Sequence, residues 1–245
     1  MKNQPEYIAK ARADIQSSGT AVISDFFTPD TIQTMLTQVE PSLDQAFSKL
    51  KTHNVYLLAD DDALPADHAR NAKVTTSSAT LAHDLIPAGG LRDLYDSDDF
   101  KQMLCDILGL DGLYPYADPL AGLNVLSYPP GAQTGWHFDN ANFVVTLLLR
   151  QAEKGGGFEF VPNSRSADDE GYDAVTALHN GDTSRVKSMH QMAGDLVIFQ
   201  GKHTIHQVTP VQGSATRVIA VFSYDTKPGT MLHADTRKKF FGRTG

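Results

Sequence analysis

The sequence predicts an α+β protein with a mainly β core and flanking N-terminal helices. Two observations carry this. The first 112 residues place apolar side chains at helical spacing, with capping residues at the expected offsets. From about residue 113 to 225 the pattern changes to short apolar runs separated by Gly, Pro and Asn, the signature of a β-sandwich or barrel. A length of 245 residues fits one domain. We expect residues 1–112 to give helical support and a lid, 113–225 the β core, and 226–245 a C-terminal tail.

In chain order, residues 4–17 carry Tyr7, Ile8, Ala11 and Ile15 on one helical stripe, closed by Gly19. Residues 20–23 read as a strand. Thr28-Pro29-Asp30 starts a helix: Thr28 caps, Pro29 sits in the first turn, and Asp30 suits the positive end of the dipole. Ile32, Met35, Leu36 and Val39 form its apolar face. A further helical stretch is expected from Ser42 to Leu50, and a strand at Val55–Leu58. Asp60, Asp61 and Asp62 read as a solvated turn, because consecutive carboxylates do not share a face. Ser97 caps a helix running to Leu108, and Gly109 ends it. Strands are expected at 122–128, 135–139, 143–149, 157–161, 196–199, 206–209 and 217–224. Residues 163–193 form a long polar insertion.

Composition narrows the function. Hydrophobic residues make up 41% of the chain, enough for a sizeable core, and the net charge is −8. That charge argues against nucleic acid or an anionic membrane as partner. The lone Cys105 excludes an internal disulfide framework. No apolar run approaches membrane-spanning length, and there is no signal-peptide pattern, so a cytoplasmic location is expected.

The chemistry concentrates in Gly135-Trp136-His137-Phe138-Asp139-Asn140 and in His206. On extended backbone, positions i and i+2 share a face, so His137 and Asp139 converge. A second imidazole from a distant strand completes two His and one carboxylate on one side of a metal, the ligand set of non-haem Fe(II) sites. His203 competes with His206 but lies three positions away, and on a straight strand the two face opposite ways. Trp136 faces away from the metal. Arg217, at the start of an apolar strand, needs a buried anion and can fork onto a carboxylate.

His137-x-Asp139, His206-x-Val208-x-Pro210 and Arg217 resemble the Fe(II)/2-oxoglutarate-dependent dioxygenase superfamily over roughly residues 120–225. Tyr128-Pro129-Pro130-Gly131 is similar to a motif before the first ligand, whose Tyr often contacts 2-oxoglutarate. The longer strings 135–140, 143–149 and 156–163 are similar to the group of hydroxylases and halogenases that act on free amino acids such as lysine. The resemblance implies a double-stranded β-helix (jelly roll) and the cofactors Fe(II), 2-oxoglutarate and O₂. It further implies release of succinate and CO₂. Halogenases of that group carry Gly in place of the metal-binding carboxylate, which makes room for chloride. Asp139 is present here, so hydroxylation of an unactivated C–H is implied. Lysine-halogenating relatives hold the substrate amino group with a Glu before the first His. No Glu lies between Asp93 and Glu153, and Asp118 is the nearest acidic residue.

The expected metal ligands are therefore His137, Asp139 and His206. Arg217, Tyr128, Thr146 and Asn124 are expected to serve the co-substrate, and Arg70, Asn140, Asp118 and Ser223 the substrate. Arg70 is included because a free amino acid needs its carboxylate matched. The expected partner is an amino-acid-like small molecule, and the expected assembly a monomer or homodimer. Desaturation or ring closure, a carrier-bound or peptide substrate, and a non-catalytic cupin-like metal-binding module are the alternatives.

Overall fold

The computed structural model describes residues 5–48 and 50–245. Two antiparallel sheets face each other. The larger runs, edge to edge, through Thr20–Ile23, Leu196–Phe199, Val144–Arg150, Arg217–Phe222, Leu123–Tyr128, Ala79–Leu81 and Phe47–Ser48. The smaller runs through Lys187–Met189, Phe158–Val161, Ile205–Val208, Thr134–His137, Lys73–Thr76 and Lys51–Asn54. This is the expected jelly roll. Helices α1 (Pro5–Ser18), α2 (Pro29–Val39), α3 (Leu91–Asp96) and α4 (Asp98–Leu108) precede the first long strand of the larger sheet.

Strand alternation divides the larger sheet into two faces. Leu123, Val125, Val145, Leu147, Leu149, Val218, Ala220 and Phe222 belong to the main core with Ile32, Leu36, Phe100 and Leu104 of the helices. The alternate residues Tyr128, Leu148, Val197, Phe199 and Ile219 pack between the sheets against Phe158, Phe160 and Val208. A third cluster, including Val55, Tyr56, Phe138, Val161 and Ile205, covers the outer side of the smaller sheet. The period-2 pattern thus dictates which side chains face the intersheet space.

The helix signals are realised. Thr28 Oγ1 accepts from the Thr31 amide at 3.3 Å, and Ser97 Oγ from the Phe100 amide at 3.2 Å. Gly109 closes α4 in the left-handed conformation, φ 70°. The start of the first helix at residue 4, and Lys49 in the expected 42–50 helix, lie outside the described residues. The rest of that second stretch differs: a 3₁₀ turn spans Glu40–Gln45, and Phe47–Ser48 pairs with Ala79–Leu81. Val55–Leu58 is a turn, not a strand. Asn54 Oδ1 accepts from the amides of Tyr56 and Leu58, so the side chain takes bonds a ladder would otherwise take. The strand there is the polar Lys51–Asn54, paired with Lys73–Thr76.

Two further departures matter for the site. Among the described residues, the first 112 contribute five strands, to both sheets, as well as helices. The 226–245 segment holds a helix, α6 (Ala234–Phe241), after α5 (Tyr172–His179) in the polar insertion. The Ser97 cap provides a check on the fold: Ser97→Ala should destabilise the protein by about 1 kcal/mol, read as a lower urea midpoint at unchanged slope. An unchanged midpoint would show that tertiary packing alone fixes the start of α4.

Candidate metal centre and its cavity

His206 and His137 are direct partners across the Ile205–Val208 and Thr134–His137 strands, with ring centroids 4.2 Å apart. The ladder ends at His137, but the chain stays pinned for two more residues. The Phe138 amide donates to the Val55 carbonyl at 2.7 Å, and the Asp139 amide to the Gly201 carbonyl at 3.0 Å. Phe138, fully buried, stacks on Tyr56 on the outer side of the sheet. His137 and Asp139 are thereby turned to the inner side. Asp139 Oδ1 lies 3.4 Å from His137 Nε2, and Oδ2 lies 3.6 Å from His206 Nε2. The three ligand atoms fall within 4.8 Å of one another.

Each imidazole uses Nδ1 on a backbone carbonyl: His137 on Gly135 at 2.8 Å, His206 on Thr204 at 2.9 Å. That fixes Nδ1 as the donor and leaves both Nε2 lone pairs aimed at the carboxylate. Phe158 stacks on the His206 ring and Phe199 meets it edge-on, which holds its orientation. Asp139 Oδ2 is buried without a hydrogen-bond partner among the described residues. A buried carboxylate oxygen between two imidazole lone pairs fits a divalent cation and is costly without one.

The electrostatics agree. Burial opposes charge on His137, but the hydrogen bond and negative charge of Asp139 outweigh it and raise its pKa. Burial, then repulsion from His137, pushes His206 down to about 4. Burial would raise Asp139, yet both imidazoles outweigh it and hold the carboxylate ionised. Protons and a metal would compete for these nitrogens, so metal affinity should fall as pH falls.

The triad opens into a cavity of about 330 Å³ between the sheets. Arg217, Tyr128, Thr146 and Asn124 line it, as do Asn140 and Ser223. Register explains why: Asn124, Val221, Thr146 and Val197 are cross-strand neighbours on the inner face, and Arg217 sits opposite Tyr128. Asn124 also spends its amide on the Leu120 carbonyl at 2.8 Å. Arg217 is only 2% exposed, and burial lowers its pKa. Its Nη2 donates to Gln191 Oε1 at 3.1 Å, its guanidinium lies 5.3 Å from the Tyr128 ring centre, and Nη1 has no partner among the described residues. A buried cation whose contacts are a neutral amide and a ring is set up for an anionic ligand.

Two expected residues lie elsewhere. Arg70 rests over the Tyr56 ring and donates to the Ala59 carbonyl at 2.9 Å, outside the cavity wall. Asp118 is a structural carboxylate. It accepts from the amides of Leu120, Ala121 and Leu232, with Arg237 Nε at 3.7 Å, and so ties the C-terminal segment to the core. The sequence reading missed His53, Lys51, Gln191 and the α6 side chains Thr236, Lys239 and Phe240, all in the wall. His53 is buried between Thr76 Oγ1 and the Asn54 carbonyl, 6.4 Å from the His137 ring. Burial foremost, with repulsion from His137, Lys239 and Lys51, lowers its pKa. The alternation of Lys51 and His53 on one strand was the signal available for these two.

Gly201 tests the carboxylate's placement. A Cβ there would lie 1.9 Å from Asp139 Oδ2. Gly201→Ala should displace the carboxylate and weaken divalent metal binding by roughly 10–100-fold, measured by titration calorimetry with Ni(II). Affinity equal to that of the unaltered protein would show that the carboxylate is not held where a metal needs it.

The Halogenase D family model matches residues 3–241. No curated protein matches the chain. Three solved structures share the fold at low identity. A 2OG-Fe(II) oxygenase family oxidoreductase from Burkholderia pseudomallei is 14% identical, with TM-score 0.57, over 94% of this chain and 96% of that one. A Pseudomonas putida prolyl-4-hydroxylase is 16% identical, with TM-score 0.56, over 90% and 99%. HygX from Streptomyces hygroscopicus, solved with nickel, 2-oxoglutarate and hygromycin B bound, is 12% identical, with TM-score 0.55, over 90% and 86%. The chain belongs to the Halogenase D family, and family, fold and metal-ligand set together make it a non-haem iron, 2-oxoglutarate-dependent enzyme.

Proposed function

We propose that the chain hydroxylates an unactivated C–H bond of a small free amino acid or close analogue. The observation that carries the reaction type is Asp139. Its carboxylate stands between both imidazoles and takes up the position that a halide would need for halogenation. When bound, Fe(II) and 2-oxoglutarate together supply the oxidant. The chain's own part is placement and exclusion. His137, Asp139 and His206 would hold the metal. Arg217 would pair with the far carboxylate of 2-oxoglutarate, with Tyr128 packed under the guanidinium and donating or accepting at Thr134 Oγ1. Thr146 and Asn124 line the same inner face as Arg217, and Asn140 and Ser223 complete the wall. A cavity of about 330 Å³ suits a single small substrate, and an apolar wall keeps bulk water from the reacting bond.

The domain reading follows from this arrangement. Both halves of the chain contribute strands to both sheets, which supports a single oxygenase domain.

Turnover is the first test. Fe(II) and 2-oxoglutarate are added without air, a panel of free amino acids follows, and air is admitted in buffers with and without chloride. The expected result is succinate formation stimulated by one amino acid, which gains one oxygen at the same rate in both buffers. A chlorinated product would overturn the role given to Asp139. Loss of two hydrogens would replace hydroxylation by desaturation or ring closure, and no stimulation by any free amino acid would reject the substrate class.

Arg217 supplies a second test. Replacing a buried, forked cation costs about 2–5 kcal/mol, or roughly 30- to 5000-fold. Arg217→Ala should weaken 2-oxoglutarate binding on that scale, and Arg217→Lys should restore only part of it. Unchanged 2-oxoglutarate affinity in Arg217→Ala, measured by calorimetry on Ni(II)-loaded protein, would assign the co-substrate to another cation.

A further inference from the structure

The cavity has a second cationic end, and it bears on the substrate class within the reading above. Besides its imidazoles the wall holds, among the described residues, the basic side chains Arg217, Lys51 and Lys239. Among the described residues Asp139 is the one carboxylate in that wall, and both its oxygens face the ligand imidazoles. In a chain of net charge −8, this is a local inversion of sign. Arg217 lies deep, whereas Lys51 is half-buried and Lys239 exposed, so the two lysines mark the solvent side of the cavity.

The lysines come from separate elements that meet over the opening. Lys51 begins the strand carrying His53, and its ammonium lies 5.0 Å from the Phe240 ring centre and 5.7 Å from that of Phe47. Such contacts steady the long stem. Phe240 follows Lys239 in α6 and shares the wall. The helix itself is fastened. Phe241 is buried with Ala82, Leu120 and Ala121, and Asp118 holds Leu232 and Arg237 at its N-terminal side. A cation in the last turn of a helix suits the dipole, which accounts for Lys238 as well. It does not account for Lys51, nor for both ammonium groups sharing one cavity wall. Two like charges there focus anions.

We propose that Lys51 and Lys239 bind the carboxylate of the substrate, so that the cavity takes an amino acid or related acid and disfavours one bearing a second, side-chain ammonium group. Among the described residues the wall has no uncommitted carboxylate to match such a group. Asn124, Thr146 and Ser223 offer neutral polar partners for an α-amino group, and Val221, Leu232 and Phe241 offer apolar surface for the side chain.

The test is calorimetry on protein loaded with Ni(II) and 2-oxoglutarate. The probes are free L-amino acids, the carboxamides of the same amino acids, and the basic pair L-lysine and L-arginine. At least one acid with an uncharged side chain should bind about tenfold or more tighter than its carboxamide, as expected for a charge-assisted contact. In the double variant Lys51→Met/Lys239→Met that ratio should fall towards one, with 2-oxoglutarate affinity and melting temperature unchanged. A carboxamide binding as tightly as its acid, a basic amino acid binding tightest, or no acid binding at all would overturn the proposal. So would a preference for the acid that persists in the variant. The acid–amide comparison is made on the unaltered protein and stands whatever the variant does. Failure of that protein to bind Ni(II) or 2-oxoglutarate would instead reject the reading on which the proposal rests.

Discussion

The register between Thr134–His137 and Ile205–Val208 is the constraint on which the rest depends. It sets His137 opposite His206 and turns both rings inward. Side-chain direction alternates along a strand, so a slip of one residue would send an imidazole to the outer face. The outer anchors oppose such a slip. Phe138 and Ile205 are fully buried in the outer cluster, one residue from each ligand. The metal site is therefore specified by the apolar residues beside the ligands as much as by the ligands. Gly135 belongs to the same device, because a Cβ there would lie 2.8 Å from the Thr75 carbonyl. Its absence allows the ligand strand to approach Lys73–Thr76 closely.

A cavity with cations at both ends follows from that frame. The inner face of the larger sheet carries Arg217 into a space where, among the described residues, a neutral amide and an aromatic ring meet it. Burying such a charge is unfavourable by several kcal/mol unless an anion joins it. The fold tolerates this buried charge near the candidate metal ligands because the surrounding strands, from Val144–Arg150 to Leu123–Tyr128, are closely packed on their other face. Stability is supplied on the helix side of the sheet, and chemistry is carried on the other.

Much of this was legible in the sequence. The triad could be read from the spacing of His137 and Asp139 and the context of His206, and Asn124, Tyr128, Thr146, Arg217 and Ser223, expected to serve co-substrate or substrate, do line the cavity. Helix boundaries at Thr28, Ser97 and Gly109 could be read because capping is local chemistry. What escaped was set by long-range contacts. Lys51–Asn54 is a polar strand whose partners lie more than 18 residues away, and no apolar period marks it. Asn54 diverted the adjacent apolar run into a turn. Asp118 read as a substrate residue because a sequence does not show that three backbone amides claim it. Helix α6 carries only a weak apolar stripe, yet Phe241 seats it on the core and brings Lys239 to the cavity. Arg70 offered the right charge, and the fold put it on Tyr56 instead.

The most direct measurement is an anaerobic titration of the protein with Fe(II) and then 2-oxoglutarate, followed by the visible absorption of an iron-bound 2-oxo acid. The account requires that the absorption need both components, saturate at one metal per chain, and vanish in His137→Ala and His206→Ala while those variants keep their fold by circular dichroism. Absorption that survives loss of either imidazole, or 2-oxoglutarate binding that ignores the metal, would contradict the assignment of His137, Asp139 and His206 as the centre on which the protein is built.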